Sequence, residues 1–343
     1  MEQRRLGRSE LRVPVLGFGT ATFGGEGAFA SAWGATTPDE AARLVDAALD
    51  AGATFFDSAD VYANGHAEEL LGRALAGRRA RALVATKAGF RAGAGADDVG
   101  AGRRHLIAAC ESSLRRLGTD WIDLYQLHGF DALVPVEETL GALDELTRAG
   151  KIRFAGCSNF SGWHLMKSLG ASERGAGPRY VAHQAYYNLL AREYEWELMP
   201  LAIDQEVATI VYSALAGGQL TGKLVRDRPP PDGSRLAALA PLGPEYPREQ
   251  LHAIVDELAA IARELGRTVA QVALAWTLAR PTVATIVLGA RTEPQLRETL
   301  AAAELRLDEH HLKRLDDASA RSPIYPYWHQ RLTMRERNPP PVR

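Results

Sequence analysis

Short apolar runs alternate with stretches of helical spacing along almost the whole chain, and this alternation restricts the fold to parallel α/β architectures. The runs read as strands at 16–19, 54–57, 83–86, 122–128, 152–158, 180–185, 209–212 and 286–289. Helical patterns are expected at 67–75, 103–117, 136–149, 162–172, 196–205, 248–265 and 295–303. A further helix is expected after Thr37, with Pro38 in its first turn, Glu40 closing a capping box, and Ala41, Leu44, Val45 and Ala48 on one face as far as Gly52. Eight strands with eight helices is the count of a closed (β/α)8 TIM barrel, with a doubly wound open sheet as the rival.

One barrel domain over residues 1–343 is therefore expected. Residues 1–15 form a hairpin capping the bottom of the barrel, 217–247 a long loop after the seventh strand, and 321–343 a C-terminal tail. A net charge of −2 gives no global field for nucleic acid or an anionic membrane. No apolar run approaches the ~20 residues that cross a bilayer. The start of the chain has no apolar signal segment. Two cysteines, Cys110 and Cys157, imply no disulfide framework, and a cytoplasmic protein is expected. HExxH and CxxC are both absent, so no metal is expected.

Four polar residues stand just beyond or within reach of strand ends: Asp57, Tyr62, Lys87 and His128. In a parallel barrel those ends converge on the face where chemistry is done. A free tyrosine has a pKa near 10. A nearby ammonium such as Lys87 lowers it, Asp57 can hold the lysine, and His128 can orient a carbonyl. The set can hand a proton to a carbonyl oxygen or take one from an alcohol.

Further strand ends suggest a flat, phosphorylated ligand. Ser158, Asn159 and Gln184 can pair with a carboxamide such as that of nicotinamide, although Asn159 equally suits a turn that caps the next helix. Tyr212 can stack on a heterocycle. The glycines after it offer backbone N–H groups to phosphate. Gly217–Lys223 fits GxxxxGK, but Leu224 replaces the Ser or Thr that would hold magnesium, which excludes a nucleoside triphosphatase. Gly289, Arg291 and the helix start after them make an anion site. No GxGxxG follows a strand, so a Rossmann cofactor domain is not supported.

The stretches Phe56-Asp57-Ser58-Ala59-Asp60-Val61-Tyr62, Glu68–Gly72, Ala85-Thr86-Lys87, Leu124–His128, Gly150–Phe160 and Ile286–Leu300 resemble the aldo-keto reductase superfamily, in order and over about residues 4–320. The resemblance implies a (β/α)8 barrel with NADP(H) extended across its top. It implies Tyr62 as general acid, supported by Asp57, Lys87 and His128. Cofactor contacts carry over to Gly19, Thr20, Asp57, Ser158, Asn159, Gln184 and Tyr212 around the nicotinamide. They carry over to Ser213, Leu215, Gly218 and Lys223 along the pyrophosphate, and to Arg235, Gly289, Arg291, Gln295, Glu298 and Thr299 at the adenosine end. Thr299 stands where many relatives have Asn, and Ala214 where many have Pro. Arg291 keeps a cation for a 2′-phosphate.

The Ser161–Met166 stretch and the Tyr327-Trp328-His329-Gln330 tail look like the bacterial aryl-alcohol dehydrogenase-like branch, some members of which handle bulky polycyclic alcohols or ketones. The implied partner is a small-molecule carbonyl or alcohol that is apolar, aromatic or polycyclic, with Phe23, Trp33, Phe90, Phe130, Tyr327 and Trp328 as candidate pocket walls. Pro323 and Pro326 are expected to keep the aromatic tail non-helical, with Tyr327 or Trp328 beside Tyr62; packing on the barrel side or a second subunit is the alternative. A different functional class, a nucleotide-sensing subunit resembling potassium-channel β subunits, fits the same four residues. Neither the substrate, the direction of reaction nor the oligomeric state is written in the pattern.

Overall fold

The computed structural model describes residues 1–25, 34–95, 97–224, 226, 244, 246–337 and 340. The chain opens with an antiparallel hairpin, β1 (Gln3–Arg5) and β2 (Arg12–Pro14). Eight parallel strands follow: β3 (Leu16–Gly19), β4 (Phe55–Asp57), β5 (Leu83–Ala88), β6 (Ile122–Leu127), β7 (Ile152–Ser158), β8 (Tyr180–Tyr186), β9 (Ala208–Tyr212) and β10 (Val283–Leu288). They pair in chain order, and β10 returns to β3 to close the ring. The fold is thus the closed barrel, and the open-sheet rival is excluded.

Period-2 alternation divides the strand residues between two cores. Phe55, Ala85, Leu124, Ala182, Ile210 and Ala284 point into the barrel, large beside small, and form one cluster. Their neighbours Phe56, Val84, Tyr125, Val211 and Val283 point outward into the larger cluster shared with the helices. Space inside is tight: a Cβ at Gly17 would lie 2.7 Å from the Phe55 ring and 2.8 Å from its carbonyl oxygen. Leu6 and Val13 of the hairpin region are fully buried in the inner cluster. The hairpin therefore stoppers the end of the barrel away from the site.

Helices α1 (Pro38–Asp50), α2 (His66–Ala74), α3 (Arg103–Leu117), α4 (Val136–Arg148), α5 (Gly162–Glu173) and α6 (Leu198–Asp204) surround β4 to β9. The Thr37–Glu40 capping box is present, with Thr37 N–H donating to Glu40 at 2.8 Å. After the long loop come α7 (Arg248–Leu265), α8 (Val269–Leu278), α9 (Glu293–Leu300) and α10 (Glu309–Ala318). Two helices depart from the sequence reading. Helix α8 was not anticipated, because every residue after Val269 in it is buried and it carries no polar stripe. The tail forms a seven-residue helix, α11 (Tyr327–Thr333). Pro326 precedes that helix as its N-cap, where a missing N–H costs nothing. No helix among the described residues is long and apolar enough to cross a membrane.

Candidate active site

The strand register brings the four polar residues together. Asp57 ends β4 opposite Ala85, and Lys87 sits one inward position further along β5. The Lys87 ammonium is fully buried. It donates to Asp57 Oδ2 at 2.6 Å and to the Ser58 carbonyl at 2.7 Å, and it lies 3.5 Å from the Tyr62 hydroxyl. Burial pushes the lysine pKa down, but Asp57 and Tyr62 outweigh it, so the group is shifted up and stays charged. The other Asp57 oxygen accepts from Gln184 Nε2 at 2.8 Å and Gln126 Nε2 at 3.2 Å. All three donors converge on one carboxylate, which holds it fixed.

Tyr62 opens a turn at 62–65 in which Ala63 (φ +48°) and Asn64 (φ +55°) are left-handed. This costly backbone sets the phenol between Lys87 and His128. The Tyr62 and His128 rings meet edge to face at 5.9 Å. Burial, with the Lys87 charge, pushes the His128 pKa down to about 2, so its imidazole is neutral. Phe90 stacks on the other side of His128, with ring centroids 3.9 Å apart and planes 13° from parallel.

These groups lie at one end of a cavity of about 720 Å³ on the C-terminal face of the barrel. That is within the ~300–1,000 Å³ range of small-molecule and cofactor sites. Asp57, Tyr62 and His128 line it, and Lys87 lies behind them. Gly19, Ser158, Asn159, Gln184 and Tyr212 line the adjoining wall. Tyr212 donates to Asn159 Oδ1 at 2.8 Å, and Asn159 Nδ2 donates to the His128 carbonyl at 2.9 Å. Ser213, Leu215, Gly218 and Lys223 continue the wall, and Gly289, Arg291, Gln295 and Thr299 complete it. The Arg291 N–H donates to Gln295 Oε1 at 3.0 Å, which ties the loop after β10 to α9.

Several expectations need correcting. Thr20 is fully buried, and its hydroxyl donates to Ser58 Oγ rather than facing the cavity. Glu298 is outside the lining; its carbonyl accepts from Gln271. The Thr299 hydroxyl, although its residue lines the cavity, is spent within α9 on the Gln295 and Leu296 carbonyls. Of the proposed substrate walls, only Phe90 lines the cavity among the described residues. Phe23 is buried against Phe18. Phe130 stacks on His164, with centroids 3.8 Å apart, beside Phe160 and Trp163. Tyr327 packs toward Trp196 at 6.3 Å, and Trp328 keeps company with Tyr325 and His329. The tail thus packs toward the segment that joins β8 to α6, outside the cavity lining. Trp33 and Arg235 lie outside the described residues.

Gln126 was missed by the sequence reading. Alternation along β6 points Ile122, Leu124 and Gln126 one way, and the pairing of Gln126 with Lys87 locates it at the site. A buried amide on an otherwise apolar inward face was the available signal.

Comparison with known proteins agrees with this geometry. Residues 15–320 match the Aldo/keto reductase family. The chain is 38% identical to the uncharacterized oxidoreductase YrpG of Bacillus subtilis, covering 92% of this chain and 95% of that one. It is 34% identical to a probable voltage-gated potassium channel subunit beta of Arabidopsis thaliana, over 89% and 92% of the two chains. The solved holo form of an aldo-keto reductase of Bacillus halodurans superposes with a TM-score of 0.78 at 30% identity, covering 96% of this chain and 99% of its own. A closed eight-stranded barrel, a buried Asp–Lys pair beside a tyrosine, and these likenesses over nearly the full length lead to one assignment: the chain belongs to the Aldo/keto reductase family, a family of oxidoreductases.

Proposed function

We propose that this protein interconverts a carbonyl and an alcohol with NADP(H), using Tyr62 as the proton donor in reduction and the acceptor in oxidation. The observation that carries the reading is the buried Lys87 ammonium, held 2.6 Å from Asp57 and 3.5 Å from the Tyr62 hydroxyl. An ammonium at that distance favours the phenolate left after proton transfer. Asp57 keeps Lys87 in place, and Gln126 and Gln184 keep Asp57 in place. His128, being neutral, carries a ring N–H that can donate to the same carbonyl oxygen.

The donor set fits a nicotinamide dinucleotide. One end of the cavity offers the hydroxyl and amides of Ser158, Asn159 and Gln184, suited to a carboxamide. The other offers the cations Lys223 and Arg291, suited to phosphates. When bound, the cofactor supplies or accepts the hydride. Tyr212 would bound the ring on one side, and the left-handed backbone at Ser213, Gly217 and Gly218 would let main-chain N–H groups hold the phosphates. Arg291 supports a preference for NADP(H), since guanidinium pairs with a phosphate dianion in bidentate fashion. Phe90, Val61 and Ala63 beside Tyr62 support an apolar or aromatic substrate.

Tyr62→Phe tests the reading. Reduction of an aldehyde such as 4-nitrobenzaldehyde, followed by NADPH absorbance, is expected to fall ~10²-fold or more. NADPH affinity, followed by fluorescence titration, is expected to hold. Turnover like that of the wild type would remove Tyr62 from this role. The binding-only reading suggested by the potassium-channel relative predicts cofactor binding with no turnover over a carbonyl panel.

A further inference from the structure

Behind the Tyr62 turn lies a set of buried charges that the proposed reaction does not use. Asp60, two residues before Tyr62, is 4% exposed; no side chain donates to its carboxyl oxygens, and its one nearby donor, the Val61 backbone N–H, makes no well-formed hydrogen bond. Its backbone N–H donates to the Lys87 carbonyl at 3.0 Å, so its main chain is pinned to the strand that carries the lysine. From α2, the fully buried Glu68 faces it; Glu68 accepts from the Thr86 hydroxyl at 2.5 Å and from Arg116 Nε at 2.7 Å. Arg116 comes from α3 and lies directly under the turn. A Cβ at Gly65 (φ +90°) would sit 2.7 Å from its Cδ and Nε. One guanidinium therefore supports the turn from below and neutralises one of two neighbouring carboxyl groups.

Two carboxylates and one guanidinium cannot all be satisfied there. A buried carboxylate without a well-formed donor is disfavoured, whereas a carboxylic acid is much less so. We propose that Asp60 is a positioning residue: held as a neutral acid against the Glu68–Arg116 pair, it lets Arg116 seat the turn that carries Tyr62, and its ionisation draws Arg116 away and unseats that turn. The inference rests on the reading of Tyr62 as the proton donor.

The groups facing Asp60 are Glu68 from α2, Arg116 from α3, Lys87 from β5 and Tyr125 from β6, with Cys110 of α3 beside Glu68. Burial first, and the Glu68 charge second, push the Asp60 pKa from an ordinary 3.8 up to about 7, against the pull of Arg116 and Lys87. The folded state then holds a proton that the unfolded chain has released. Asp60 costs nothing below its unfolded value, costs more as pH rises from there to about 7, and costs its full amount above that.

Asp60→Asn keeps a neutral side chain of the same shape at every pH. With NADPH and 4-nitrobenzaldehyde, wild type and D60N should turn over alike at pH 6. Above neutrality the wild type should fall away while D60N holds, with a gap of about tenfold at pH 9, the scale expected of a sub-ångström misplacement of a proton donor. The unfolding temperature of the wild type should drop more between pH 5 and 8 than that of D60N. Superposable pH profiles, or parallel unfolding temperatures, overturn the proposal. If D60N does not fold, infrared spectra of the wild type decide the matter. A protonated carboxylic acid band lost near neutral pH supports the proposal, and its absence overturns it. If the wild type shows no turnover at all, the reading of Tyr62 fails, and the proposal falls with it.

Discussion

The two ends of the cavity are built differently. At the end formed by β4, β5 and β6, both oxygens of Asp57 are already engaged: Lys87, Gln126 and Gln184 all donate to it. At the end formed by β9, β10 and α9, the lining is glycine-rich, and Gly289 and Gln295 are exposed. The first end is fixed before anything binds, so its geometry supplies the reactivity. The second end has its polar groups turned to solvent, so it gains most of its partners on binding. Preorganisation belongs where charge develops, and adaptability belongs where a long ligand must be admitted.

The hardest way to break this contrast is Lys87→Met. It leaves Asp57 buried without its cation, a loss of about 3–5 kcal/mol in denaturant unfolding. Carbonyl turnover should be lost with it. Unchanged stability would mean that the Asp57 end is not built around this ion pair. At the other end Arg291→Ala should leave stability alone and weaken NADPH by about 1.5–3 kcal/mol, roughly 10- to 150-fold, with NADH little affected. Equal wild-type dissociation constants for the two cofactors would remove the basis for Arg291 as the phosphate reader. The smallest effect is expected from deleting residues 324–343. Tyr325 is 72% exposed and Trp328 47% exposed, both away from the cavity. KM and substrate profile should therefore stay within about twofold, as for surface changes remote from a site. A large KM change would return the tail to the pocket.

The contrast also explains what could be read from sequence. Strands β3 and β7 and helices α3 and α7 follow the apolar pattern residue for residue, because each buries one face and wets or crowds the other. Asp57, Lys87 and His128 were visible because strand ends converge wherever a parallel barrel closes. Helix α8 was hidden because it is buried all round, and period carries information only where two faces differ. Thr20 was harder to place because side-chain direction at the rim depends on loop geometry, and its hydroxyl turns to Ser58. Tyr327 or Trp328 was expected beside Tyr62, with packing elsewhere as the alternative; Trp328 is exposed and Tyr327 packs toward Trp196, both outside the cavity lining, because apolar content does not say which neighbour a tail finds.

Closure of the ring has a consequence for how the chain comes to fold. The β3 edge pairs with β10 through Leu16 and Ile286, about 270 residues apart. The stoppering hairpin likewise reaches forward, with Arg4 donating to the carbonyls of Leu278 and Val283. At ~5–20 residues per second, translation leaves the first strand without its final neighbour for roughly 15–50 s. For that interval the nascent barrel is an open sheet with unpaired backbone at both margins, and assembly rests on contacts far apart in the chain. Such contacts form slowly. Birth, more than the finished fold, is the vulnerable stage of this molecule.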